Sequence, residues 1–200
     1  MSEAVMISIQ PKWCKLIANG KKTVEVRKTK PKLEMPFKCY IYQTKKRILI
    51  DITRKGEMGW CGEIAKETRI ISCPDWNAGK VIGEFVCDRI TQYNCDRDYQ
   101  EYFVAGYVGA YMPTREMCLT QQDLVEYGQG GTLYGWHISN LVIYDEPKEL
   151  SEFCRNGECD KCGWFENGKC YKKSEQSTYN NHRIKRPPQS WCYVEEQDND

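Results

Sequence analysis

The chain has 200 residues, 40% apolar and 28% charged, which suits one domain with a real core plus a small appendage and excludes wholesale disorder. Its net charge of +1 hides an asymmetry: residues 1–60 carry 14 Lys/Arg against 5 Asp/Glu, and residues 61–200 carry 15 against 23. No apolar run approaches the ~18 residues of a membrane-spanning helix.

The opening MSEAVMISIQPK lacks a basic region followed by a long apolar stretch, which reads against a signal peptide and for a cytoplasmic protein with no membrane partner. The basic first third suggests an anionic partner such as nucleic acid or a phosphate-bearing ligand; two halves that fold together and neutralise each other would give the same balance.

In chain order, Val5–Ile9 is a short β-prone run. Pro11 stands at a plausible first helical position, and Trp13, Leu16 and Ile17 share one face of a short helix that Asn19-Gly20 ends. Lys22–Lys28 alternates as a half-buried strand, with Thr23, Glu25 and Arg27 on one face and Lys22, Val24 and Val26 on the other. Phe37–Gln43 reads as another strand. Residues 51–80 are weakly patterned and read as a long connection with one short element. Lys80–Tyr93 is a strand with Gly83 as a candidate bulge. Residues 94–119 are ambiguous and aromatic-rich. Thr120 opens a helix carrying Leu124 and Val125 that ends at Gly128–Gly131. Leu133–Tyr144 is the most β-prone stretch, Pro147 is expected to open a short helix (PKELSEF), and Ser190–Glu195 closes the chain as a strand. Short strands outnumber helices without regular β-α alternation, which favours a closed or nearly closed barrel over a doubly wound sheet.

Gly20, Lys22, Glu25 and Arg27 place one acid and two bases where a helix gives way to a strand. Such a set can cradle a polar or anionic ligand; a solvated, lysine-rich strand edge is the plainer reading. The stretch SIQPKWCKLIANGKKTVEVRK resembles the opening of the ASCH domain (activating signal cointegrator homology), whose signature is G-x-K-x-x-E-x-R, and all four positions match. GKVIGEF (79–85) and the strand before DEPKEL resemble the family too. The resemblance covers roughly residues 5–150, with Ser190–Glu195 as closing strand.

The resemblance implies a mainly β (α+β) fold, a PUA-like β-barrel with short helices and a cleft beside the signature strand. It also implies relatives that bind RNA, often near modified bases. In this reading Lys22 and Arg27 contact phosphate or base edges, Glu25 accepts from a base amino group or pairs with Arg27, and Tyr134 and Trp136 are stacking candidates. An aromatic core face would explain Tyr134 and Trp136 equally. Some small bacterial members resemble hydrolases that remove the acetyl group from acetylcytidine, with a lysine at the position of Lys22 and a threonine nucleophile at that of Glu25. Here a carboxylate stands at the second position, so Lys22 and Glu25 would be the catalytic pair only in a departed chemistry. A ribonuclease using Lys22 with Tyr134 or His137 is the other enzymatic alternative. His137 otherwise reads as a hydrogen-bonded structural residue.

Cys154, Cys159, Cys162 and Cys170 are spaced C-x4-C-x2-C-x7-C with glycines between them in polar sequence. Four thiolates can close a structural zinc site that folds an insert without a core of its own, with Cys192 or His182 as substitute ligand. A plant-type iron–sulfur pattern, disulfides and free thiols are the other readings. The expected organisation is a barrel over 1–150, a Cys-rich zinc-binding insert over 151–186, and a closing strand with acidic tail over 187–200. The expected function is nucleic-acid binding, with RNA or a small nucleotide-like group as ligand. The compact unit with its Cys-rich tail suits a bacterial or phage-encoded protein.

Overall fold

A computed structural model describes residues 2–45, 48–52, 67–71, 77–96, 98–106, 114–155, 165–166, 169–170 and 183–197. The elements in chain order are β1 (Glu3–Ile9), α1 (Pro11–Ala18), β2 (Val24–Arg27), β3 (Phe37–Gln43), β4 (Ile48–Ile52), β5 (Glu67–Ile71), β6 (Lys80–Asp96), β7 (Glu101–Val104), α2 (Thr114–Met117) and α3 (Gln121–Gly128). Then come β8 (Leu133–Glu149), a single 3-10 turn (Leu150–Glu152), β9 (Phe165–Glu166), β10 (Lys169–Cys170) and β11 (Trp191–Glu195). Among the described residues no helix is long and apolar enough to cross a membrane.

The chain is mainly β. One mixed sheet runs β11-β1-β3-β6-β8-β2, with β7 added to β6, while β4–β5 and β9–β10 form separate two-stranded pairs. Among the described residues only β1 and β3 run parallel, joined by the α1–β2 excursion; the other pairings are antiparallel. The sheet curls because its two 17-residue strands, β6 and β8, change register three times along their length. The expected bulge at Gly83 is one of these shifts. A Cβ there would stand 2.3 Å from the Val142 carbonyl oxygen, so only glycine lets the strands approach. The bulge re-phases β6, so that Ile82 and Phe85 both face the inside of the curl.

That inner face is the main core: Val5, Ile7 and Ile9 of β1, Phe37, Cys39 and Ile41 of β3, Phe85 and Cys87 of β6, Trp136 of β8, and Cys14 and Ile17 of α1. On the outside, Val24 and Val26 of β2 pack under Met117 and Leu124, which α2 and α3 supply. Met6, Tyr40, Val81 and Val194 pack beneath Leu150, Phe153 and Ile184. The Ile184 N–H donates to the Phe153 carbonyl at 2.9 Å and Cys154 pairs with Arg183, so the Cys-rich excursion leaves and returns through a paired neck.

Among the described residues the sheet does not close by backbone pairing: β2 and β11 are its two ends. Side chains stitch this seam. Trp191 Nε1 donates to Thr29 Oγ1 at 2.9 Å, the Lys32 N–H donates to Tyr193 Oη at 2.9 Å, and Arg27 Nη1 reaches Ser190 Oγ at 3.5 Å.

Two expectations are corrected. The signature strand starts at Val24, not Lys22, so Lys22 is free of the strand's alternation. The PKELSEF segment is not a helix: β8 continues to Glu149 and only Leu150–Glu152 turns helically. Pro147 is tolerated in the strand because it falls where β8 slips register, between Ile143 opposite Gly83 and Lys148 opposite Val81. The ambiguous 94–119 stretch contributes β7 and α2, and the 51–80 connection includes part of β4 and all of β5.

Candidate functional site

The end of α1 aims the signature residues. The Gly20 N–H donates to the Ile17 carbonyl at 2.8 Å, and the Lys21 N–H to that of Leu16 at 2.9 Å, the paired bonds of a Schellman cap, with Gly20 at φ 66°. The Lys22 N–H adds a second bond to Leu16 at 3.1 Å. The chain thus leaves the helix in a fixed direction and drops the Lys22 side chain inward, where it is only 2% exposed.

Glu25 and Arg27 sit on the inner face of β2, opposite Trp136 and Tyr134 of β8. Lys22 Nζ lies 3.4 Å from Glu25 Oε2, and Arg27 Nη2 lies 3.0 Å from Glu25 Oε1, so both carboxylate oxygens are engaged by cations. Lys22 Nζ also donates to the Met117 carbonyl at 2.6 Å, and Arg27 Nη2 to the Ser8 carbonyl at 2.7 Å. This buried triad carries a formal charge of +1. Among the described residues the buried Arg27 Nε–H has no hydrogen-bond partner.

The triad lines a cleft of about 420 Å3 together with Ser8, Gln10, Trp13, Asp123, Tyr127 and Gln189. That volume falls within the range of small-molecule sites, roughly 300–1,000 Å3. Two aromatic rings flank it. Trp13 of α1 has Lys12 Nζ 4.3 Å and Lys22 Nζ 5.1 Å from its ring centre, and Tyr127 of α3 has Lys28 Nζ 5.1 Å from its own. Burial pushes the Tyr127 phenol above its ordinary pKa, with Arg27 pulling the other way, so it stands neutral and able to donate. The capping box at Thr120 and Asp123 fixes α3: the Thr120 side chain accepts from the Asp123 N–H at 3.1 Å, and the Thr120 N–H donates to Asp123 Oδ2 at 2.8 Å. The Thr120 N–H, with the Thr120 hydroxyl that donates to the same Oδ2 at 2.7 Å, holds the Asp123 carboxyl below its usual pKa.

The expected residues thus divide. Lys22, Glu25 and Arg27 converge in the cleft. Trp136 is corrected to a core residue: it is fully buried, edge-on to Phe37 with ring centres 5.9 Å apart and against Trp191 at 5.9 Å, so neither face is open to a base. Tyr134 is half-buried against the same core, beneath Lys30 Nζ at 5.5 Å, and is outside the cleft lining. His137 points to the opposite face from Glu25, because it neighbours Trp136 along β8, so Lys22, Tyr134 and His137 do not form an acid–base set. Arg89 Nη2 donates to His137 Nδ1 at 3.1 Å, which leaves Nε2–H to donate to Thr91 at 2.9 Å. Thr23 is exposed and holds Ile138 N–H and Glu116 carbonyl through its backbone.

Trp13 and Tyr127 are the site residues that sequence reasoning missed. Sequence periodicity puts Trp13 on the helix's apolar face, whereas the structure has it half-buried in the cleft lining beside Lys12 and Lys22. Tyr127 lies on a helix recognised from its cap, but nothing local ties that helix to β2. Of the four-cysteine set, Cys154 is half-buried at the neck and Cys170 ends β10, whereas Cys159 and Cys162 lie outside the described residues, as does His182. Among the described residues no three metal-ligating side chains cluster.

The ASCH domain family model matches residues 7–156. A crystal structure of an ASCH protein from Zymomonas mobilis is similar at a TM-score of 0.52 and 18% identity, covering 96% of this chain and 88% of that one. A single-substitution variant of the same Zymomonas mobilis protein is similar at 0.50 and 17%, covering 96% and 91%. None of the curated proteins matches the chain. Those solved structures share the fold, a PUA-like β-barrel, and with the signature residues gathered in one cleft and the family match spanning three quarters of the sequence, this chain belongs to the ASCH domain family.

Proposed function

We propose that this ASCH protein binds RNA and holds one nucleotide in the cleft beside β2. The family is commonly linked to RNA binding. The observation that carries the reading for this chain is the buried Lys22–Glu25–Arg27 triad. Its charge is positive, and all three of its residues line the cleft. Glu25 is saturated by its two cations, so its part is to hold Lys22 and Arg27 in place; the ligand supplies acceptors, as phosphate oxygens and base carbonyls do. Trp13 and Tyr127 supply apolar walls for a base ring.

Titration of a short single-stranded RNA against added salt tests this. Binding should weaken steeply, with a slope of about −0.7 per phosphate contacted. Arg27→Gln should weaken it at every salt concentration while the purified variant keeps its native circular dichroism. Mass spectrometry of the same RNA, and of acetylated nucleosides, reads the hydrolytic alternative: new product masses that vanish in Lys22→Met would replace binding by turnover. Unaltered affinity in Arg27→Gln would remove the cleft from the reading.

A structural zinc on Cys154, Cys159, Cys162 and Cys170 belongs to the same proposal. The spacing of four thiols in a polar excursion with a paired neck supports it. Metal analysis of the purified chain should find about one zinc, lost in Cys159→Ser with Cys162→Ser.

A further inference from the structure

Beyond the cleft, the segment that follows the signature strand forms a second surface. Lys28, Lys30 and Lys32 are all exposed, on a stretch pinned rather than loose. Thr29 accepts from Trp191, the Lys32 N–H donates to Tyr193, Pro31 is buried, and Leu33 packs on the inner core. Lysines therefore alternate outward while their neighbours anchor the segment to β11. Among the described residues none of the three is in an ion pair, although 28 acidic residues are present in the chain. Two of the ammonium groups rest over aromatic rings instead, Lys28 over Tyr127 and Lys30 over Tyr134, within the ~6 Å of a cation–π contact. The ridge is continuous with the cleft, since Tyr127 lines it and Lys28 directly follows Arg27.

We infer that residues 28–32, with Tyr127 and Tyr134, form a track for the backbone of single-stranded RNA leading away from the nucleotide in the cleft. This rests on the RNA-binding reading and adds the path of the strand. Unpaired, pinned lysines suit phosphates, because no acidic partner has to be displaced and little chain entropy is lost. Rings interleaved with the cations suit unstacked bases, which a duplex does not offer.

The test compares Lys28→Gln/Lys30→Gln/Lys32→Gln with a control triple, Lys45→Gln/Lys80→Gln/Lys148→Gln, which removes the same charge elsewhere. The probe is a short single-stranded RNA titrated at several salt concentrations. Loss of three phosphate contacts should flatten the salt slope by about 2, so a fourfold rise in salt should weaken the wild type about twenty-fold more than the track variant. The control should keep the wild-type slope. A wild-type slope in the track variant, or an equal flattening in the control, overturns the track while leaving the cleft reading standing. Equal affinity for a duplex of the same sequence, or for polyglutamate at the same salt, overturns it too, in favour of a general acidic dock. If the wild type binds no RNA, both readings fall together.

Discussion

At Gly20 the backbone sits at φ 66°, and nothing lies within 4 Å of where a Cβ would stand, so conformation alone demands glycine. Gly20→Ala should cost about 1 kcal/mol, and Gly20→Asn less, because asparagine tolerates the left-handed region. Urea unfolding reads the difference. Glu25 is the opposite case, a buried carboxylate between two cations. Glu25→Gln leaves Lys22 and Arg27 facing each other uncompensated and should cost roughly 3 kcal/mol. For a chain of this size that lowers Tm by roughly 6–12 °C. All four signature residues were legible by spacing, as was the meeting of one acid with two bases; that Lys22 reaches Glu25 from outside the strand was not, because the apparent alternation runs back through a residue that the helix cap directs. His137 gives a pH dependence. Burial first, then Arg89, holds its imidazole below its ordinary pKa, so the folded state keeps it neutral. The unfolded chain takes up the proton first as pH falls, so this contribution is whole above about pH 6.5 and is lost as pH drops below it. Stability of His137→Gln should vary less with pH across that window, as chemical denaturation at several pH values would show.

Among the elements, α3 carries Asp123 and Tyr127 to the cleft; its start was legible from Thr120 and the polar residues after it, and a capping box fixes it. Thr120→Ala removes the side-chain acceptor for the Asp123 N–H and should cost about 1 kcal/mol. If α3 positions Tyr127, the same variant should also weaken RNA binding, whereas Thr132→Ala, outside the cleft, should leave it unaltered. What misled at this scale was proline in β8. Pro147 reads as a helix start because proline cannot donate to a ladder, yet at a register slip there is no ladder bond to lose. Trp136 and Tyr134 misled for a related reason. A strand presents two faces, and periodicity assigns residues to faces without saying which is the inside. The core aromatics Phe37 and Trp191, far apart in sequence, decide it.

For the whole molecule, the decisive feature is the seam, and this was the least legible, since it depends on where the two ends of a curled sheet meet. Among the described residues β2 pairs only with β8, and β11 only with β1, whereas β3, β6 and β8 are paired on both sides. Local opening should therefore reach the seam strands before β3 and β6, because the seam amides have ladder partners on one side alone. The cleft lies at this seam, with Arg27 reaching Ser8 on β1 and Ser190 before β11. A ligand held by the triad binds the closed seam better than the open one and must stabilise closure by that difference. Hydrogen exchange in the free protein should thus be faster in β2 and β11 than in β3 and the central part of β6. RNA should slow it selectively in β2, residues 28–32 and β11. Uniform protection on adding RNA, or protection centred on β4 and β5, would place the ligand elsewhere and detach the seam from the function.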